Sequence, residues 1–361
     1  MNKQRYSRQL LMPEFGEAGQ QKLLDAKVLV VGAGGLGSPV LYYLTAAGVG
    51  TIGIVEDDVV SLSNLQRQIL FTSDEIGKPK ITQAEQRLKA LNPDVNFQLF
   101  NERLNSENAL QIINQFDVIV DATDNFPTRY LINDACVLLN KPFVFGAIHR
   151  FEGQVAVLNV NGSATYRDIF PSPPPPEMAP NCAEAGVLGV MAGLIGSYQT
   201  LETIKLLTGL GDLLVNRLML IDALSGQSRT IKVRPVPDSP KITQLIDYEE
   251  FCGVKEVISE LKEIDFDEFI RWKKENRDFQ LVDVRETHEY ALGNINGESM
   301  PLTSLSVYAE KISRTKPVIV HCQAGSRSRK AIQLLNEAYG FTNLINLAGG
   351  MNAVPQGYLP T

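Results

Sequence analysis

Three groups of residues in this chain have types and spacings that could do chemistry. In the first, Gly32, Gly34 and Gly37 give a G-x-G-x-x-G turn. That spacing lets the backbone approach a phosphate closely, while the N–H groups and dipole of the following helix face the anion. Glu56 lies about 20 positions further on and is placed to accept hydrogen bonds from ribose hydroxyls. Asn64, Arg67 and Lys80 then supply an amide and two cations, and Asp121 and Asp124 belong to the segment DATDN. The glycine turn alone does not tell a dinucleotide from a mononucleotide; the cations begin to. A dehydrogenase serves its pyrophosphate largely from the helix N-terminus. A triphosphate attacked at its α-phosphorus develops charge on the transferring group and on the leaving pyrophosphate, which cations stabilise. A carboxylate facing phosphates is tolerable chiefly with a divalent cation between them, so Asp124 is the expected magnesium contact. The competing reading makes Asp121 or Asp124 a cap for the helix beginning near Pro127.

The second and third groups are cysteines. Cys182 ends the proline-rich connection YRDIFPSPPPPEMAPNC and precedes a small-residue helix; a helix start lowers a thiol's pKa and raises its reactivity. The alternative is a small residue buried at a cap. Cys322 opens CQAGSRS immediately after the apolar run PVIVH, a turn whose successive N–H groups would stabilise a thiolate, a persulfide or an oxyanion. A cysteine phosphatase needs arginine six places after its nucleophile, where this chain has Ser328; Arg327 stands one place earlier, giving the shorter loop suited to sulfur transfer. Cys136, in an apolar helical run, reads as packing, and Cys252 is given no role.

The elements that must position these groups follow from periodicity. The buried strand 27–31 feeds the turn and a helix over 35–47, and 51–55 is the next parallel strand. A helix over 80–91, strands at 95–99 and 116–120, a helix near 106–114 and a strand at 143–147 continue the pattern. The segment 153–159 starts an antiparallel extension. A long helix over 184–207 carries Gly186, Gly189, Gly193 and Gly196 and fits a close packing on the sheet or on a second subunit; strands at 218–222 and 229–233 follow. After RPVPDSP and an acidic stretch, a second set begins with a helix over 266–275. It continues with a strand at 279–282 ending in DVRE, the strand 317–321, and a helix over 330–339.

At 361 residues and 44% hydrophobic content the chain can bury a sizeable core and more than one domain. A net charge of −7 argues against nucleic acid as the main partner. No run approaches the ~20 apolar residues of a membrane-spanning helix, and the N-terminal residues lack the apolar core of a signal peptide. The expected location is therefore the cytoplasm, with free thiols. By composition alone, Arg5 and Arg8 in RYSRQ belong to a solvated arm.

With GAGGLGSP, SNLQRQ, IGKPK, DATDN, PNCAEAGVLGV, DVRE, HCQAGSRS and LAGGMNAVPQGY in this order, the chain resembles a known family across nearly its whole length. These are the ubiquitin-activating-like adenylyltransferases that serve molybdopterin and thiamine sulfur-carrier proteins, in the form fused to a C-terminal rhodanese domain. The resemblance implies an α/β fold. A Rossmann-like activating domain over 1–245 has a mostly parallel sheet with an antiparallel extension; a linker over 246–263 leads to a smaller α/β rhodanese domain over 264–361. It implies that Gly35 and the turn hold ATP, with Ser63, Asn64, Arg67, Lys80 and Asn125 at the nucleotide and Mg2+ at Asp124. Glu56 stands where the family usually has aspartate. Arg8 matches the arginine that such homodimers insert into the neighbouring subunit's ATP site, which reverses the reading of the arm.

The implied reaction adenylates the C-terminal glycine of a small ubiquitin-like carrier. A persulfide on Cys322, loaded by a cysteine desulfurase, thiosulfate or similar donor, then supplies sulfur, with Cys182 cleaving the acyl-disulfide or forming a thioester. Relatives often bind a structural zinc through two C-x-x-C pairs; here those positions are Thr165, Asp168, Glu249 and Cys252, so no zinc is expected. A nicotinamide dehydrogenase, a cysteine phosphatase and a non-enzymatic docking scaffold are the rival readings.

Overall fold

The computed structural model describes residues 1–174, 186–237, 241–253, 261–355 and 358. The chain divides into two compact units, Met1–Glu256 and Val257–Thr361.

In the first unit, α1 (Ser7–Leu10) and α2 (Gly16–Asp25) precede β1 (Lys27–Val31), α3 (Gly37–Ala47) and β2 (Thr51–Val55). Next come α4 (Lys80–Leu91), β3 (Asn96–Phe100), α5 (Ala109–Ile113), β4 (Val118–Asp121), α6 (Phe126–Leu139), β5 (Phe143–His149) and β6 (Glu152–Leu158). Then follow α7 (Tyr166–Ile169), α8 (Gly189–Thr208), β7 (Arg217–Asp222), β8 (Gln227–Lys232) and α9 (Tyr248–Phe251). Among the described residues the strands form one eight-stranded sheet ordered β3-β2-β1-β4-β5-β6-β7-β8. It is parallel from β3 to β5 and antiparallel from β5 to β8. Strand β1 is buried along Val28–Val31, as a β-branched run covered on both faces should be. The strand order reverses between β1 and β4, so a crevice opens beyond their carboxyl ends.

The glycine turn is shaped by close approach. Gly32 has φ +96°, and a Cβ there would sit 2.9 Å from the Ala122 carbonyl oxygen; one on Gly37 would sit 2.0 Å from the Gly32 carbonyl oxygen. Helix α3 therefore starts at Gly37, two residues later than its apolar pattern suggests, because residues 33–36 make the turn. It stops at Gly48, a left-handed C-cap.

Helix α8 begins at Gly189; of the expected helix over 184–207, residues 184 and 185 lie outside the described set. Gly186 has φ +74°, Val187 bridges Arg150, and Leu188 is extended. The small-residue face of α8 packs on α3, β5 and β6, and a Cβ on Gly196 would meet Pro39 at 2.5 Å and the Leu36 carbonyl oxygen at 2.6 Å. The acidic stretch expected within the linker instead forms α9, whose Tyr248 is buried with Cys252 in the same core as Tyr130 and Tyr166. Arg167 makes a bidentate pair with Asp134 at 2.7 Å, and Tyr248 donates to the same carboxylate at 2.8 Å. That buried network, with Arg167 stacked over Tyr130 and Phe251, ties α9 to α6 and α7.

The second unit contains β9 (Glu263–Ile264), α10 (Phe266–Lys274), β10 (Gln280–Asp283), α11 (Thr287–Ala291) and β11 (Glu298–Ser299), then α12 (Leu305–Tyr308), β12 (Val318–His321), α13 (Ser326–Tyr339) and β13 (Leu344–Leu347). Its strands make a parallel sheet ordered β11-β10-β12-β13-β9. Helix α13 starts four residues before the expected Lys330, because Gly325 adopts φ +97° and folds the chain into the helix within the cysteine loop. Among the described residues no helix is long and apolar enough to cross a membrane.

Candidate active site

Beyond the carboxyl ends of β1, β2 and β4 lies a cleft of about 500 Å³. It brings together Gly32, Gly34, Gly35, Glu56, Asn64, Arg67, Lys80, Asp124 and Asn125, contributed by five segments of the chain. Gly37 shapes the turn from behind, and Ser63 is exposed beside the cleft, its carbonyl accepting from Arg67 Nη1 at 3.1 Å. Arg8 is exposed on α1 and does not line this cleft. Cys182 lies outside the described residues.

The contacts sharpen several of these positions. Both oxygens of Glu56 accept backbone N–H groups, from Ala33 at 2.8 Å and from Asp58 at 2.9 Å. Its carboxylate thus braces the glycine turn. Lys80 is 3% exposed and donates to Asp58 at 2.6 Å, which holds its ammonium at the cleft edge. Among the described residues, Asn64 Oδ1 is buried without a partner, and so is Gln68 Oε1; both residues line the cleft.

The capping question resolves on Asn125. Its side chain accepts from the Thr128 N–H at 3.0 Å and caps α6. Asp121 is buried and accepts from the N–H and hydroxyl of Thr123, leaving Oδ2 without a partner. Burial pushes its carboxyl pKa up, against the lowering effect of Arg129. Asp124 is exposed and lines the cleft beside the half-buried Asn125.

Arg129 is a cleft residue that the sequence reading missed. It is 8% exposed, donates to the Thr123 carbonyl at 3.0 Å, and lies over Phe126 and Phe145. An arginine inside the apolar pattern of α6 carries no sequence signal that it faces inward; only its proximity to DATDN hinted at it.

In the second unit, Cys322 is fully buried at the end of the central strand β12. Its sulfur accepts the Gly325 N–H at 3.1 Å and lies 3.6 Å from Ser328 Oγ. The loop backbone is pinned by 349–353: the Met351 N–H donates to the Cys322 carbonyl and the Asn352 N–H to that of Gln323, both at 2.9 Å. A Cβ on Gly350 would collide with the Cys322 carbonyl oxygen at 2.3 Å. Arg327 makes a bidentate pair with Glu289 at 2.5 and 2.7 Å, which pulls the Glu289 carboxyl below the usual carboxylate range. The DVRE turn supplies the buried Asp283–Arg285 pair, 2.7 Å apart, and Arg285 also reaches Gln323 Oε1 at 3.3 Å. His321 is wholly buried, and burial pushes its pKa down to about 4.

The four positions where the resembled family often has zinc-binding cysteines are otherwise engaged. Thr165 and Asp168 form a capping box for α7, Glu249 pairs with Arg103 at 3.0 Å, and burial raises the Cys252 thiol to about 11. This donor set does not fit a tetrahedral zinc.

A doubly wound sheet with a glycine turn and cations at its switch point, followed by a parallel-sheet unit with a cysteine loop leading into a helix, is the arrangement of a two-domain group-transfer enzyme. The comparisons make the class specific. The ThiF family profile matches residues 6–241 and the rhodanese-like domain profile residues 265–355; the chain belongs to the ThiF family and carries a C-terminal rhodanese-like domain. It is 44% identical over 364 residues to the probable adenylyltransferase/sulfurtransferase MoeZ of Mycobacterium tuberculosis, covering 97% of this chain and 92% of that one. It is 52% identical over 262 residues to the sulfur carrier protein adenylyltransferase of Thermus thermophilus, covering 70% of this chain and 97% of the relative. The crystal structure of E. coli MccB with ATP shares the fold, with a TM-score of 0.58 at 21% identity over 66% of this chain and 74% of that one. The protein is an enzyme, an adenylyltransferase and sulfurtransferase.

Proposed function

We propose that the first unit adenylates the C-terminal glycine of a small ubiquitin-like sulfur-carrier protein and that Cys322 supplies the sulfur converting it to a thiocarboxylate. The observation that carries the reading is one cleft that joins the glycine turn to several cations, Arg67, Lys80 and Arg129 among them, and to the exposed carboxylate of Asp124. Such a set suits the α-phosphoryl of ATP better than a nicotinamide dinucleotide. The carrier carboxylate attacks the α-phosphorus and pyrophosphate leaves; Lys80 and Arg67 stabilise the charge that develops. Asn64, a cleft-lining residue whose buried Oδ1 has no partner among the described residues, and the Asp124 carboxylate fit a nucleotide–magnesium complex. Asp124 would hold the Mg2+, which when bound shields phosphate charge.

The terminal sulfur of a Cys322 persulfide then attacks the acyl carbon and AMP leaves, giving an acyl-disulfide. Cys182 is assigned to cleaving that bond, forming a disulfide with Cys322 that a dithiol reductant reopens. We place the protein in the cytoplasm as a homodimer in which Arg8 serves the neighbouring subunit. A separate apolar groove of about 640 Å³, walled by Met12, Phe15, Tyr43, Leu201 and Ile204, supports pairing of two copies. No structural zinc takes part, and stoichiometric zinc in purified protein would overturn that point.

The test is the mass of candidate carriers after incubation with enzyme, ATP and a sulfur donor. The expected result is one oxygen replaced by sulfur at the carrier C-terminus, together with ATP–pyrophosphate exchange that requires the carrier. Exchange that persists without a carrier would sink the scheme, and Cys322→Ala should abolish sulfur gain while leaving exchange intact.

A further inference from the structure

We propose that the single hydroxyl proton of Ser328 is shared between the Cys322 sulfur and Asn346, making Ser328 a further catalytic residue and Asn346 a positioning residue. The inference rests on Cys322 being the sulfur-carrying residue. Ser328 and Asn346 are both completely buried, Ser328 in the first turn of α13 and Asn346 on β13. Three acceptors surround the one Ser328 proton: the Asn346 amide oxygen at 2.6 Å, the Gly325 carbonyl at 2.9 Å and the Cys322 sulfur at 3.6 Å.

The orientation of the Asn346 amide is dictated from its far side. Its Nδ2 donates to Glu263 Oε1 at 2.7 Å, and Glu263 is fixed by Arg329 at 2.9 Å. An ionised carboxylate only accepts, so Nδ2 must face Glu263 and Oδ1 must face Ser328. While Cys322 is a thiol it carries its own proton, and the Ser328 hydroxyl serves Asn346. When the thiol loses that proton to solvent, the hydroxyl turns from Asn346 Oδ1 to the sulfur, where a charge-assisted bond is stronger. Asn346 therefore competes with the thiolate for the donor that stabilises it.

The charged and titratable groups on the elements packed around the loop are matched among themselves. His321 stays neutral at pH 7 on β12; Asp283 pairs with Arg285, Arg327 with Glu289 of α11, and Arg329 with Glu263 of β9. Among the described residues, the Ser328 hydroxyl is a rotatable donor within reach of the sulfur.

The two residues should act in opposite directions, which a purely structural role would not produce. The experiment follows the pH dependence of Cys322 alkylation by iodoacetamide on the full chain, read from the mass of the Cys322 peptide. Ser328→Ala is expected to raise the midpoint by about one pH unit, the size of a hydrogen bond to a charged sulfur. Ser328→Thr should restore it. Asn346→Ala should lower it by about half a unit, and Asn346→Leu replaces that variant if it folds poorly. Shifts of the same sign, or an unmoved midpoint in either variant, overturn the proposal. A wild-type Cys322 that takes up no sulfur from thiosulfate or a persulfide donor would instead overturn the sulfur-carrier reading, whatever the midpoints.

Discussion

Lys80 and Arg67 do different work for the same cleft. Lys80 is sunk into the protein with its ammonium on Asp58, whereas Arg67 is half-buried with a guanidinium edge on the Ser63 carbonyl. A buried ammonium in a partly dry site stabilises developing phosphate charge far more than one in water. Lys80→Ala should therefore cut carrier-dependent ATP–pyrophosphate exchange by about 10²-fold or more. An exchange rate within a few-fold of wild type would remove Lys80 from the chemistry. Glu56 bears a second duty at this scale. Because one of its oxygens holds the Ala33 N–H of the glycine turn and the other the Asp58 N–H of its own loop, Glu56→Gln should weaken nucleotide binding through the backbone as well as through any ribose contact.

At the scale of elements, the glycine turn and the small-residue helix make contrasting demands on the same residue type. Gly37 has no room for a Cβ, since the carbonyl of Gly32 is 2.0 Å away, whereas a Cβ on Gly193 meets nothing within 4 Å. Gly37→Ala should destabilise the first unit by about 1–3 kcal/mol, as overpacking does, and abolish nucleotide binding. Gly193→Ala should raise stability by about 0.5–1 kcal/mol through helix propensity alone. Chemical denaturation of both variants checks the pair, and equal effects would contradict the difference in room at the two positions.

At the scale of the whole molecule, each of the two units has its own apolar core, and the second depends on buried ionisable groups. His321 is held neutral down to about pH 4, against an ordinary value of 6.5, chiefly by burial. Its folded pKa is depressed, so the unfolded chain binds the extra proton between those values. Stability is fully present above pH 6.5 and falls as pH drops towards 4, by up to about 3 kcal/mol. The melting transition of the second unit should follow this slope, and His321→Gln should flatten it. Arg285→Ala would leave the Asp283 carboxylate buried without its cation. It should cost that unit about 3–5 kcal/mol. Sulfur transfer should be lost and carrier-dependent pyrophosphate exchange retained.

The sequence by itself determined the strand, glycine turn and helix from Lys27 to Ala47, the succession of parallel strands, and the cysteine loop at the end of a buried strand. Those features are local: β-branched runs, glycine conformations and helix starts are written in neighbouring residues. What only the tertiary structure decided depends on residues far apart in the chain. Arg129 turns inward from α6 to the cleft because Phe126, Phe145 and the Thr123 carbonyl receive it. Tyr248–Phe251, within the stretch expected as linker, form α9, and Tyr248 reaches Asp134, 114 positions earlier. Asn346 sits on a four-residue strand too short for periodicity to reveal, yet pairing beside β12 brings its amide to Ser328. Spacing along the chain names the reactive groups; packing across it selects the neighbours that tune them.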